Sequence, residues 1–185
     1  MNVYDWDDTI YRGDSSFDLI FYTFRKRPKS LLNLPRSLVC GILFGLRIMP
    51  KKTFKQTVFR MFRYVDDMEQ LIDAFISSHL DHVKTWYLDQ QKEDDLVISA
   101  SPEFLIEPFC ARVGINHVLA SQVERDTGVY YGENCHGKEK VRRFEESYPQ
   151  GKIELFYSDS KSDAPLANLA EKAFLVKGEE RIPWE

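Results

Sequence analysis

Beyond Asp95 the apolar residues change their spacing, and that change limits the fold more than any other feature of the chain. Leu96-Val97-Ile98 is an unbroken apolar run, and residues 117–120, 153–157 and 173–176 are further short, mainly apolar runs, separated by amphipathic stretches near 103–113, 138–147 and 164–171. Short continuous apolar runs suit strands buried on both faces. Strands alternating with helices imply a mostly parallel sheet covered on both sides. Residues 2–4 supply a fifth short strand at the start of the chain, and residues 123–125 and 129–131 flank Asp126-Thr127-Gly128 as a small hairpin.

The part before Asp95 has a different period. Residues 15–27, 30–48 and 53–64 are aromatic- and Leu-rich at helical spacing, punctuated by Pro28, Pro35 and Pro50. From Met68 the apolar positions Leu71, Ile72, Phe75, Ile76, Leu80, Val83, Trp86 and Tyr87 step by three and four, which predicts one long amphipathic helix N-capped by Asp66 or Asp67. The expected architecture is an α/β core, Rossmann-like, made from residues 1–13 and 91–185, with an all-helical cap, residues 14–90, inserted after the first strand. The 185 residues, 43% of them hydrophobic, suffice for one core and a small insert. Cys40, Cys110 and Cys135 are odd in number and lack Cys-x-x-Cys spacing, so they read as reduced thiols of a cytosolic protein. The N-terminus shows no charged region followed by an apolar run, and a cytoplasmic location is expected.

In such a sheet, chemistry belongs at the carboxyl ends of the strands. Asp5-Trp6-Asp7-Asp8-Thr9 stands at the end of the first. Alternate residues of an extended segment share a face, so Asp5 and Asp7 can approach one centre. Two carboxylates that close repel each other, and a cation resolves the conflict. Oxygen-only ligation with open positions suits magnesium. Alone, the motif is no more than an acidic turn. Its company changes the weighing: Ser99 ends the second strand, Lys138 and Lys140 open a helix after the hairpin, and Asp159 and Asp163 follow the fourth strand.

With these motifs in place the sequence resembles the haloacid dehalogenase superfamily, in its phosphoserine-phosphatase-like branch with a helical cap, over essentially the whole chain. The resemblance implies a magnesium-dependent phosphatase with Asp5 as nucleophile, Asp7 as general acid and base, and Thr9 shaping the motif loop. It implies Ser99 and a lysine as phosphate ligands, metal held by Asp5, Asp7 (through its carbonyl) and Asp159, and Asp163 in support. Where that branch has glycines, Ala100 and Ser101 follow Ser99 and are expected to face the phosphate. Residues two apart on a helix point roughly 200° from one another, so only one of Lys138 and Lys140 can serve; the Lys-x-Lys-Val spacing resembles phosphoserine phosphatases and favours Lys138. Asp14 matches a substrate-contacting acidic position of that branch and is equally suited to N-capping. A phosphotransferase or mutase of the same superfamily would need the same residues, and a non-catalytic binding protein keeping the fold is the remaining alternative.

The chain's net charge of −4 hides an asymmetry. Between Leu19 and Val65 there is no Asp or Glu and eleven Lys and Arg, so the rest of the chain carries −15. A solvated helical face is the plain reading; an anionic partner is the sharper one. Residues 31–49 are too interrupted to cross a membrane, yet apolar residues interleaved with Lys and Arg suit peripheral contact with anionic lipid. The expected substrate is thus a small-molecule or lipid phosphate ester, with no nucleic-acid partner. His79 and His82 read as ordinary side chains, and Trp6, between the two aspartates, as a lining of the substrate entrance.

Overall fold

The computed structural model describes residues 1–184. Its central strand, β1, is only Val3–Tyr4, but the two side chains face opposite ways and seed two separate cores. Val3 packs with Leu96, Ile98 and Phe156 on one face of the sheet, together with Phe144 and Leu166. Tyr4 packs with Val97 and Tyr157 on the other face, together with Phe75, Tyr87, Leu105 and Phe109. The sheet runs β3-β2-β1-β4-β5-β6, with β2 Leu96–Pro102, β3 His117–Ser121, β4 Ile153–Ser158, β5 Ala170–Lys177 and β6 Glu180–Pro183. Neighbours pair in parallel except β5 and β6. The expected fold class holds: a mostly parallel α/β sheet with helices on both faces. The sixth strand was not expected. It is exposed throughout, carries a proline and pairs antiparallel at the sheet edge, so it has no apolar run to betray it.

Between β1 and β2 the chain is helical: α1 Ser15–Lys26, α2 Leu34–Gly45, α3 Lys51–Phe59, α4 Met68–His79 and α5 Thr85–Leu88, with 3₁₀ turns at Pro28–Asn33, Arg60–Tyr64 and Leu80–His82. Asp67 is the N-cap of α4, its side chain accepting from the Gln70 N–H at 2.9 Å. The long helix expected from Met68 to Tyr87 is instead broken after His79. Val83 pairs antiparallel with Tyr11, Lys84 donates its N–H to the Ile10 carbonyl at 2.9 Å, and Arg12 donates to that of His82 at 2.8 Å. Those long-range bonds outweigh a periodicity that continues through the break, and they stitch the helical stretch to the loop carrying the first motif.

The remaining helices are α6 Glu103–Arg112, α7 Lys138–Ser147 and a single turn, α8 Ala164–Ala167. The expected hairpin is reduced to one bridge between Val123 and Tyr130. Gly128 at its tip has φ +69°, and a Cβ there would lie 2.4 Å from the Phe59 backbone, so the turn needs glycine to press against the helical stretch. The three cysteines are free thiols, and among the described residues no helix is long and apolar enough to cross a membrane.

Candidate active site

The ends of β1, β2 and β4 and the start of α7 converge on a cavity of about 340 Å³. Of the residues singled out from sequence, Asp5, Asp7, Asp14, Ala100, Lys140, Asp159 and Asp163 line it. Ser99, Ser101 and Thr9 stand behind its wall, fully or almost fully buried. Lys138 does not line it and is exposed.

The floor is a chain of short polar contacts. Asp5 follows β1 and is anchored by its N–H to the Tyr157 carbonyl at 2.8 Å. The Lys140 ammonium, 2% exposed, donates to Asp5 Oδ1 and to Asp163 Oδ2, both at 2.7 Å. Ser158 Oγ donates to the same Asp163 oxygen at 2.9 Å. Burial opposes the Lys140 charge, but the two carboxylates outweigh it and its pKa is raised. The preference for Lys138 is therefore corrected in favour of Lys140. The reason is helix phase: Lys140 lies four residues before buried Phe144 and so shares its inward face, whereas Lys138 points to solvent.

Asp7 is held differently. Its Oδ1 accepts from the Ser15 N–H at 2.7 Å and from Ser15 Oγ at 2.6 Å, and its Oδ2 accepts from Ser101 Oγ at 2.5 Å. Burial and the charge of Asp14 push its pKa up to about 7 against the pull of those hydroxyls. Ser101 thus grips Asp7 rather than facing the cavity, and Ser99 Oγ accepts from the Ser101 N–H at 3.0 Å, shaping the end of β2. The Ala100 carbonyl accepts from Lys55 Nζ at 3.0 Å, which brings a lysine of α3 to the rim. Asp14 caps α1, accepting from the Phe17 N–H at 2.9 Å, and lines the cavity as well, so both of its expected roles are open to it.

Thr9 couples the two acidic loops: its Oγ1 accepts from the Asp159 N–H at 2.9 Å. The first loop is pinned further by Lys84 Nζ, which donates to the Asp8 carbonyl at 2.5 Å and to that of Gly178 at 2.8 Å. Trp6 does not line an entrance. It is fully buried, 5.2 Å from Phe109 and 5.9 Å from Tyr11 between ring centroids. The alternation that turns Asp5 and Asp7 toward the cavity turns Trp6 into the core.

Burial raises the pKa of Asp5, and burial together with the Asp5 charge raises that of Asp159 to about 7. Among the described residues no three carboxylate, imidazole or thiolate side chains close on one point. Asp163 is committed to Lys140 and Ser158 through Oδ2, while its buried Oδ1 has no hydrogen-bond partner. Among the carboxyls lining the cavity, Asp5 and Asp159 repel each other. One or two carboxylates with positions left for water and substrate phosphate are what magnesium takes, so the donor set fits that ion in an open site. Ser15, Lys55 and His136, the last two also lining the cavity, were missed from sequence, because no spacing ties them to the motifs.

A mostly parallel α/β sheet with a buried lysine and several carboxylates gathered at its strand ends defines a doubly wound fold with an enzyme-type site. A family model for haloacid dehalogenase-like hydrolases matches residues 3–168. The chain belongs to that family. It is 32% identical over 106 residues to a protein named histidinol-phosphatase from Neisseria meningitidis, a match that covers 50% of this chain and 47% of that protein. The chain thus spans about half the length of this relative. Among solved structures it resembles a protein of unknown function from Bordetella pertussis, with a TM-score of 0.77, 16% identity and coverage of 95% of this chain and 88% of that one. It also resembles a phosphoserine phosphohydrolase-like protein from Francisella tularensis, with a TM-score of 0.56, 16% identity and coverage of 95% and 87%.

Proposed function

We propose that the chain is a magnesium-dependent phosphatase that moves the phosphoryl group of a monoester first to Asp5 and then to water. The observation that carries this reading is the Asp5 carboxylate on the cavity floor, with Oδ1 engaged by the buried Lys140 and Oδ2 left free of that ammonium. Membership of the hydrolase family and similarity to a protein named histidinol-phosphatase support a phosphate ester as substrate.

Each residue then has a task that its contacts suit. Asp5 attacks phosphorus, splitting one hard displacement into two easier ones. Lys140 offsets negative charge beside the nucleophile as the phosphate arrives, and its bonds to Asp5 and Asp163 fix the carboxylate in place. Asp5, Asp159 and the Asp7 carbonyl would hold magnesium, with Asp163 in support. When bound, the ion neutralises the phosphoryl oxygens and orients them for in-line displacement. Asp7, clamped by Ser15 and Ser101, protonates the leaving alcohol and then takes the proton of the attacking water; a pKa of about 7 suits both tasks. Thr9 keeps Asp159 in register with the first loop. The helices within 14–90 act as a cap on a core built from 1–13 and 91–185, since Phe17, Phe44, Lys51, Phe54 and Lys55 reach the cavity from that stretch.

The test is phosphate release from para-nitrophenyl phosphate and a metabolite panel. Turnover should require magnesium, cease in EDTA, return on adding the ion back, and disappear in Asp5→Asn. Hydrolysis that survives Asp5→Asn would contradict the mechanism outright.

A further inference from the structure

The helix α2 has no buried residue at all. Its half-buried side, Ser37, Cys40, Gly41 and Leu43, turns toward α3, where the Phe44 and Phe54 rings stack at 4.9 Å. The opposite side presents Leu38, Val39, Ile42 and Leu46 to solvent, with Ile42 65% exposed, and the adjoining Leu32 and Ile48 are 70% and 69% exposed. The i, i+4 spacing of 38, 42 and 46 makes this one stripe. A stripe of large apolar side chains left open marks an interaction surface.

Two observations say what covers it. The first is charge. The surface lies within the stretch from Leu19 to Val65, which holds eleven Lys and Arg and no acidic residue, and Lys29, Arg36 and Lys51 are exposed around it. A second copy docked through the same face about a two-fold axis would set this charge against itself. A negatively charged bilayer would be attracted by it while burying the apolar stripe. The second is continuity with the cavity. Phe44 at the end of α2, Phe17 on α1 and Phe54 on α3 form the mouth, with Lys51 and Lys55 beside them. A smaller recess of about 30 Å³ continues from the same Phe17 and Phe54 toward Ile20, Val58 and Phe59. An aromatic, cationic mouth suits a substrate whose phosphate is attached to something apolar.

We propose that α2 and its flanks rest on an anionic bilayer, and that the substrate is a lipid phosphate monoester whose head enters the cavity while its chains stay against Phe17, Phe44 and Phe54. The substrate half rests on the phosphatase reading above; the docking surface does not.

The test uses the full chain and phosphatidylcholine vesicles with or without one-third phosphatidylglycerol. The protein should sediment with the anionic vesicles at low salt and not with the neutral ones, and binding should weaken at least about tenfold at high salt. Leu38→Glu with Ile42→Glu, and separately Lys29→Glu with Arg36→Glu, should each weaken it by about tenfold or more while leaving para-nitrophenyl phosphate turnover unchanged. Phosphatidic acid in those vesicles should be hydrolysed with a kcat/KM at least about a hundredfold above that of glycerol 3-phosphate, an advantage drawn from apolar contacts that either double variant removes. Absence of sedimentation, or sedimentation equal for both vesicle types, would overturn the surface. So would a concentration-dependent dimer in sedimentation velocity that Leu38→Glu with Ile42→Glu dissolves. Vesicle binding with the expected variant effects but no turnover of any ester would overturn the phosphatase reading and leave the surface standing. Turnover of soluble esters with equal kcat/KM for phosphatidic acid and glycerol 3-phosphate would keep the phosphatase reading and overturn the lipid substrate.

Discussion

The floor of the cavity and the outer face of α2 lie close together and are built on opposite rules. On the floor the carboxylates of Asp5, Asp7 and Asp163 are gripped by Lys140, Ser15, Ser101 and Ser158 at 2.5–2.9 Å. On α2 not one residue is buried, and the apolar side chains along its outer stripe are exposed. A charged group gripped this way is expensive to disturb, because removing one partner strands the other without water. An exposed apolar group costs the fold almost nothing to change. The difference separates chemistry, fixed by contacts inside the chain, from recognition, whose contacts lie outside it.

The hardest blow to the floor should come from Asp5→Asn. The amide can still accept from Lys140, so the fold should persist by circular dichroism, while kcat should fall by about a thousandfold or more if Asp5 is the nucleophile proposed above. Next is Lys140→Met, which leaves Asp5 and Asp163 buried without their cation. Urea denaturation in EDTA should show a loss of about 3–5 kcal/mol. Lys138→Met, two residues away and exposed, should stay within about 0.5 kcal/mol. Equal effects from the two lysines would break the contrast. Thr9→Val is a milder probe of the same floor. It removes the acceptor of the Asp159 N–H and should cost about 1–3 kcal/mol, with a weaker response to magnesium if Asp159 shifts.

The sequence disclosed the floor better than its details. Strand ends are readable because a mainly apolar run gives way to polar residues where a buried strand stops, and Asp5 and Asp159 directly follow β1 and β4, whereas β2 continues past its apolar run so that Ser99 lies within it. Choosing between Lys138 and Lys140 needed the phase of α7. The signal was present in the i, i+4 pair Lys140 and Phe144, which motif spacing overrode. Trp6 was misplaced although the alternation that aligned Asp5 with Asp7 already turned it away. The break after His79 and the strand β6 were not legible. The first is imposed by bonds to Ile10 and Arg12, some seventy residues distant in the chain, and the second is an edge strand without buried side chains. Ser99 and Ser101, both expected to face the phosphate, are instead buried behind the wall, where the Ser99 hydroxyl accepts from the Ser101 N–H and the Ser101 hydroxyl donates to Asp7, contacts that no motif spacing discloses.

The gentlest prediction sharpens the comparison within a single acid-free stretch, Leu19 to Val65. Phe62 is fully buried and belongs to the core that continues under the sheet, whereas Ile42 is 65% exposed. Phe62→Ala should cost about 3–5 kcal/mol, the usual penalty for emptying such a site. Ile42→Ser with Leu38→Ser should lower the unfolding free energy by no more than about 0.5 kcal/mol, since both side chains stay mostly in water in the folded chain. A large loss from the α2 pair would mean that its stripe is covered within the protein after all, and that the helix contributes to stability. A negligible change leaves one explanation for those exposed residues: they are kept for a surface that the folded chain does not itself supply.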